Sequence, residues 1–361
     1  MAATAAILGK ARRAAPVLTN ALEGAVPFRR ALLRWYDFHK RDLPWRRTRD
    51  PYFIWLSEIM LQQTRVAAVL EHYRKFLERF PTVQALAAAT EDEVLCAWSG
   101  LGYYRRARML HRGAIEVMEK HQGQLPRSCQ GLLELPGIGR YTAAAIASIA
   151  FGEPVAVVDG NVERVLRRIA GNELSSSETW QVAQTLLMKS RPGDSNQAMM
   201  ELGATLCLPR APKCSACPVK NWCATRGESP RLQPRLKQQK RELWCILEER
   251  FEPGGRDETA AAIRRVRLVQ RSRKQSLMAG MWELPQSSKS PRPFAASARW
   301  RTFRHSITIC DYTVHVLRDA AAAQTKPFFI TPKGKWIAAD QIPNMPITGL
   351  TGKILKAAGI I

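Results

Sequence analysis

Residues 135–148 read LPGIGRYTAAAIAS. Gly137 and Gly139 flank a single apolar residue directly before an apolar, Ala-rich helix. Glycine lets backbone N–H groups come close to a phosphate, and a helix N-terminus favours an anion. Upstream, SCQGLLEL reads as a short first helix, so the whole is a helix-hairpin-helix with Pro136, Gly137 and Gly139 at its tip. Taken alone, the same pattern describes a Gly-rich turn between two packed helices. The charge decides between the two. The chain has 55 Lys and Arg against 31 Asp and Glu, a formal net charge of +24 over 361 residues. Such an excess calls for a polyanion, and with the hairpin it favours DNA.

The remaining composition is that of a globular chain, 46% hydrophobic and 24% charged. This excludes a disordered protein, a collagen and a coiled-coil rod. No apolar run approaches the length of a membrane span. The length suggests two domains. Residues 1–27 read as a poorly ordered Ala-rich basic leader without a signal peptide's apolar region. Residues 28–225 have helical periodicity throughout, with roughly ten helices expected and few or no strands. Residues 226–241, polar and basic with two prolines, read as a linker. Residues 242–361 change to strand-like alternation in WCILEER, AAIRRVRLVQRS, ITICDYTVHVL and KWIAAD, with a closing helix at 349–358. The fold class is thus a mainly α N-terminal domain with an α+β C-terminal domain.

Four of the eight cysteines, Cys207, Cys214, Cys217 and Cys223, fall in one Pro-punctuated loop over 207–223. Thiols so close in sequence point to a shared metal centre. Zinc and an iron–sulfur cluster both take four cysteines, and spacing leaves the choice open. The other four read as ordinary thiols of a reducing compartment.

Two carboxylates stand out. Glu58 lies in YFIWLSEIMLQQT, either as an exposed stripe residue or as a buried acid. If buried, its pKa rises and it can hold a proton near neutral pH. Asp159 precedes Gly160 and Asn161 in VAVVDGNVERVLRR, where an Asp is most simply a helix cap.

In this order, LPGIGRYTAAAIAS, VDGNVERVLRR and the four-cysteine loop resemble the helix-hairpin-helix DNA glycosylases of the endonuclease III kind. Within that group WLSEIMLQQTRV, SGLGYYRRAR and NQAMMELGATLC are similar to the adenine DNA glycosylases of the MutY family. The resemblance covers about 28–225. Beyond the linker MAGMWELP and RTFRH resemble parts of that family's Nudix-like C-terminal domain.

The resemblance implies a [4Fe–4S] cluster on the four cysteines and hydrolytic removal of adenine mispaired with 8-oxoguanine, or secondarily with guanine, in double-stranded DNA. It implies Glu58 as general acid, Asp159 as stabiliser of the sugar cation, and Asn161 and Tyr141 as their helpers. Trp45, Arg46 and Gln197 match adenine-contacting positions, though Arg46 reads equally as a phosphate contact. Gln63 and Thr64 of the LQQT run, with Leu101 and Tyr103, match DNA contacts, Gln63 and Tyr103 as the wedge and Leu101 as wedge or loop packing. Bifunctional members carry a Lys where Tyr141 stands, and a phenol forms no Schiff base, so the reaction expected is monofunctional. The 8-oxoguanine-reading loop of Phe-Ser-His type becomes Phe303-Arg304-His305, with Arg304 replacing Ser and Ser306 following. The metal-binding box of true Nudix hydrolases is absent from the sequence. The expected state is a monomer without membrane contact, bacterial and cytoplasmic, or nuclear or mitochondrial in a eukaryote. A lyase for oxidised pyrimidines and a non-catalytic DNA-binding protein are the alternatives. The first is disfavoured by Tyr141, the second by the joint presence of Glu58, Asp159 and Asn161.

Overall fold

A computed structural model describes residues 25–227, 238–253, 262–275, 277–289, 299–307, 309–318 and 334–361. The leader at 1–27 and the linker at 226–241 lie mostly outside the described residues. Two compact units result. One comprises residues 1–87 and 112–233; the other combines 88–111 with 234–361.

Eleven α-helices lie within the described residues 25–227, and no strand. They are α1 Ala25–His39, α2 Pro51–Leu61, α3 Val66–Arg79, α4 Val83–Ala88, α5 Glu91–Ala97, α6 Arg105–His121, α7 Cys129–Leu133, α8 Arg140–Ala150, α9 Gly160–Ala170, α10 Ser176–Leu186 and α11 Pro192–Thr205. Their ends are chemically marked. Asp50 caps α2 by accepting from Tyr52 N at 2.8 Å, with Pro51 in the first turn. Capping boxes start α5 (Thr90, Glu93) and α10 (Ser175, Glu178). Gly171, at φ 70°, ends α9 in the left-handed conformation.

The first unit buries an apolar cluster among α1, α9, α10 and α11, including Phe28, Leu32, Val165, Leu166 and Leu202. Small side chains bring α8 close to its neighbours: Ala143, Ala145 and Ala147 are fully buried. At Gly203 a Cβ would lie 2.7 Å from Asn161 Cβ, so α11 meets the start of α9 only because that position is glycine. Asn196 of α11 fixes the extended segment before α9. Its Oδ1 accepts from Val157 N at 3.0 Å, and its Nδ2 donates to Val155 O at 2.8 Å and Ser148 Oγ at 2.9 Å.

The second unit contains two small sheets. In one, β1 Gln239–Leu247 runs parallel to β7 Cys310–Arg318, with β5 Gln286–Ser287 on its other side and β6 Arg299–Ile307 antiparallel to β7. In the other, β3 Ile263–Gln270 lies between β2 Glu249–Glu252 and the strands β4 Trp282–Glu283 and β8 Lys335–Ala338. Helix α12, Gly349–Ala357, is capped by Thr348 and adds Leu350, Ile354 and Leu355 to the core of Val266, Leu268, Val314 and Val316.

Asn196 links Val157 N, Val155 O and Ser148 Oγ through one side chain. Asn196→Ala is expected to lower stability by about 2–3 kcal/mol in chemical denaturation, because unpaired buried backbone groups keep their desolvation penalty.

Candidate active site

Glu58 faces the interior: it is 5% exposed on a helix whose other side chains from Ile54 to Met60 are buried as well. The Tyr141 hydroxyl, from the first turn of α8, donates to Glu58 Oε2 at 2.7 Å and reaches Met200 Sδ at 3.4 Å. Burial pushes the Glu58 carboxyl up to about 7, and the charge of Asp159 pushes in the same direction. The Tyr141 hydrogen bond and the Arg46 charge oppose them. Burial, together with the nearby Glu58, holds the Tyr141 phenol well above its ordinary value, so it keeps its proton and remains a donor.

Asp159 does cap α9: Oδ1 accepts from Asn161 N at 3.0 Å and Val162 N at 2.7 Å. Capping and chemistry are compatible, because Oδ2 takes only the Asn161 amide, at 2.9 Å. Arg164 then secures Asn161, donating to its Oδ1 at 2.9 Å and to Gly203 O at 2.7 Å. Two carboxylates thus occupy different environments within electrostatic reach of each other, one apolar and one rich in donors.

Sequence reasoning missed the group that orients Arg46. Glu201 of α11 is fully buried and binds Arg46 Nη2 at 2.7 Å and Arg41 Nε and Nη2 at 2.7 Å each. Burial alone would raise its carboxyl, but the two guanidiniums hold it at about 2. The signal was a Glu amid apolar residues in NQAMMELG, paired with an Arg-rich stretch 160 residues away. Arg46 is therefore part of a buried ion cluster, and its charge reaches Glu58. Gln197 accepts from Tyr36 Oη at 3.0 Å. Trp45 is buried, its ring edge-on to Tyr73 at 5.3 Å.

At the hairpin, Gly137 takes φ 78° while Leu135 and Ile138 anchor the turn in the core. Gly139 is exposed at the head of α8, where a Cβ would meet nothing within 4 Å. Nothing within the fold demands glycine there; the bare backbone suits an external phosphate. Gln63 is exposed at φ 55°, and Thr64 Oγ1 donates to Gln62 O at 3.3 Å. In the other unit Tyr103 is 50% exposed at φ 48°, whereas Leu101 is buried. Non-glycine residues in the left-handed region are uncommon, and such strain gathers at functional positions.

The four cysteines of the 207–223 loop are free thiols, all part-buried. Burial raises the Cys217 thiol to about 11, with Cys207, Cys223 and Cys214 adding to it, so the four sulfurs sense one another. Yet among the described residues no three His, Cys, Asp or Glu side chains form a group that could hold a single metal ion. The four thiols are a donor set that zinc and an iron–sulfur cluster both accept. The loop is tied to α9: Arg168 Nη1 donates to Cys207 Sγ at 3.3 Å and Leu208 O at 2.7 Å, and Arg164 Nε donates to Cys207 O at 2.9 Å.

Phe303, Arg304, His305 and Ser306 do not form a loop. They lie in β6, paired with Val314, Thr313, Tyr312 and Asp311 of β7 near the hairpin end. The pleat splits them, with Phe303 buried and Arg304 and Ser306 exposed. Burial, then the Lys353 charge, pushes the His305 imidazole below its ordinary value.

Residues 56–189 match the model of the HhH-GPD superfamily of base excision DNA repair proteins. A Homo sapiens protein named adenine DNA glycosylase is 51% identical over 214 residues, covering 55% of this chain and 39% of that protein. An Arabidopsis thaliana protein of the same name is 40% identical over 305 residues, covering 71% of this chain and 47% of that protein. The match thus spans less than half the length of either relative. Among solved structures, a thermostable thymine-DNA glycosylase is 32% identical with a TM-score of 0.54, covering 56% of this chain and 97% of that one. On the match over residues 56–189 and the likeness to a solved glycosylase covered to 97%, the chain belongs to the HhH-GPD superfamily of base excision DNA repair proteins.

Proposed function

We infer that the chain is a monofunctional adenine DNA glycosylase of base excision repair. It hydrolyses the N-glycosidic bond of adenine opposite 8-oxoguanine, or opposite guanine, in double-stranded DNA, and acts as a monomer. One observation carries the reading: a buried carboxyl near pH 7, hydrogen-bonded to the phenol that stands where a lyase needs an amine.

Adenine within a duplex is out of reach and must be flipped, with Tyr103 and Gln63 filling the gap. Tyr141 occupies Glu58 Oε2, which leaves the transferable proton to Oε1. Protonation at adenine N7 makes the base a leaving group. As the bond lengthens, the sugar gains positive charge, and Asp159 offers Oδ2 to that cation. Glu58, now ionised, takes a proton from the attacking water. The second unit, with its mixed sheet and closing helix, is read as the Nudix-like domain that recognises 8-oxoguanine through the end of the β6–β7 hairpin. Cys207, Cys214, Cys217 and Cys223 would hold a [4Fe–4S] cluster. It supplies a rigid brace for the loop bearing Arg210, Lys213 and Lys220, and no step of excision runs through it.

The test is single-turnover cleavage of a duplex with one 8-oxoguanine·adenine pair. Strand scission at adenine only after alkali supports the reading. Scission without alkali, or a borohydride-trapped adduct, refutes the monofunctional assignment. Glu58→Gln and Asp159→Asn should each lower the rate by at least about 10²-fold with duplex binding retained. The wild-type rate should fall as pH rises through about 7, where Glu58 loses its proton.

The same burial has a stability cost with a definite sign. The folded Glu58 carboxyl lies above its unfolded value, so its contribution is intact below about pH 4.5 and is lost as pH rises through about 7. Glu58→Gln should therefore be more stable than wild type by about 3 kcal/mol above pH 7, with the difference vanishing in acid. Urea denaturation at both pH values measures it. Cys217→Ser should lose iron and sulfide, together with stability or DNA affinity, more than it loses chemistry. Full DNA affinity in a cluster-free protein contradicts that role.

A further inference from the structure

Residues 88–111, which include the loop carrying Leu101 and Tyr103, pack with residues 234–361 as one compact unit. Inside the loop, Arg106 lies 5.4 Å from the ring centroids of both Trp98 and Tyr103, and donates to Leu101 O and Gly102 O at 3.3 Å each. Trp98 Nε1 donates to Gly102 O at 3.1 Å. These contacts make the loop stiff, but they do not fix its place.

Two side chains flanking the loop do that. The buried Tyr104 hydroxyl reaches Ile347 O at 3.5 Å, and it also bonds the Ser99 side chain and the Gly100 backbone at the loop's other end. Arg108, one turn along α6, donates Nε to Glu91 Oε1 at 2.9 Å and Nη2 to Ala279 O. Ala279 sits in a turn where Met278 takes φ 49°, within the MAGMWELP stretch. Nearby, Cys96 Sγ contacts Pro343 O at 3.4 Å. The loop's two ends are therefore attached to 279, 343 and 347 of the same unit that carries Phe303–Ser306. A half-exposed ring on a loop fixed in this way is pre-organised for insertion, so binding need not order it first.

We propose that Tyr104 and Arg108 are positioning residues that tie the Tyr103 loop to the C-terminal segments around Ala279 and Ile347, so that recognition of the base opposite adenine and insertion of Tyr103 operate as one event. This rests on the reading of Tyr103 as a wedge. Neither residue need touch the reacting atoms. Tyr104→Phe removes only the hydroxyl and keeps the packing, while Arg108→Met removes both of the Arg108 links.

The experiment uses the full-length chain and a duplex with 2-aminopurine beside the 8-oxoguanine·adenine pair, read by fluorescence as the neighbouring base unstacks. Both variants should give a rise at least about twofold smaller than wild type, and Arg108→Lys should restore part of it. The ratio of single-turnover excision opposite 8-oxoguanine to excision opposite guanine should fall by about tenfold, because a wedge misplaced by a fraction of an ångström loses productive geometry. Thermal melting of Tyr104→Phe close to wild type separates positioning from folding. An unchanged fluorescence rise in Tyr104→Phe and Arg108→Met overturns the proposal whatever the rates do. A wild-type chain that unstacks the duplex but releases no adenine would overturn the functional reading alone, since the fluorescence would still decide on the tether.

Discussion

Sealing Glu58 between α2 and the first turn of α8 is the constraint on which the rest of the first unit depends. A carboxyl in that position must either remain protonated or be charged at high cost, because the wall of Ile54, Trp55, Ile59 and Met60 cannot solvate it. Among the described residues the Tyr141 hydroxyl donates to it, enough to orient the group and not enough to force it into its charged form. The contrast with Glu201, equally buried in the same unit, is instructive. Two guanidiniums grip that carboxyl and hold it at about 2. Partners, and not depth, decide the protonation state of each.

The backbone around Asp159 is correspondingly over-determined. Asn196 pins the chain before it, Gly203 lets α11 press against Asn161, and Arg164 closes the arrangement from the side. The cysteine loop hangs from the same helix through Arg164 and Arg168. A site built this way holds a carboxylate in place through backbone and amide donors, with the Arg164 guanidinium in electrostatic reach. It also makes the position of α9 depend on the cysteine loop. The buried acid is a standing destabilisation that the surrounding packing must offset, as at other sites where function and stability conflict.

Local chemistry made much of this legible in the sequence. Helical periodicity, capping residues and Gly137–Gly139 are short-range signals, and they marked the helices and the hairpin. Glu58 and Asp159 could each be singled out from residue type and neighbours, Tyr141 only through the resemblance. What could not be read was pairing at long range. Glu201 meets Arg41 across 160 residues, and Asn196 meets Val157 across 39. The grouping of 88–111 with 234–361 is of the same kind: a helical segment followed by a polar stretch carries no local mark of where it packs. Trp45, which the resemblance singles out, is buried with its ring edge-on to Tyr73, a pairing no local pattern announces. Phe303–Ser306 looked like a loop because the motif was matched as a string, whereas its alternation of buried and exposed residues is that of a strand.

The protonation state of Glu58 can be observed directly. Difference infrared spectroscopy, wild type minus Glu58→Gln, isolates the C=O stretch of this one carboxyl and follows it from about pH 4 to about pH 9. A protonated band that persists at neutral pH and titrates with a midpoint near 7 is the result expected of an acid raised by burial. A midpoint near 4.5, the ordinary value for a glutamate, would mean that water reaches the group and would contradict its assignment as the acid that protonates the leaving base.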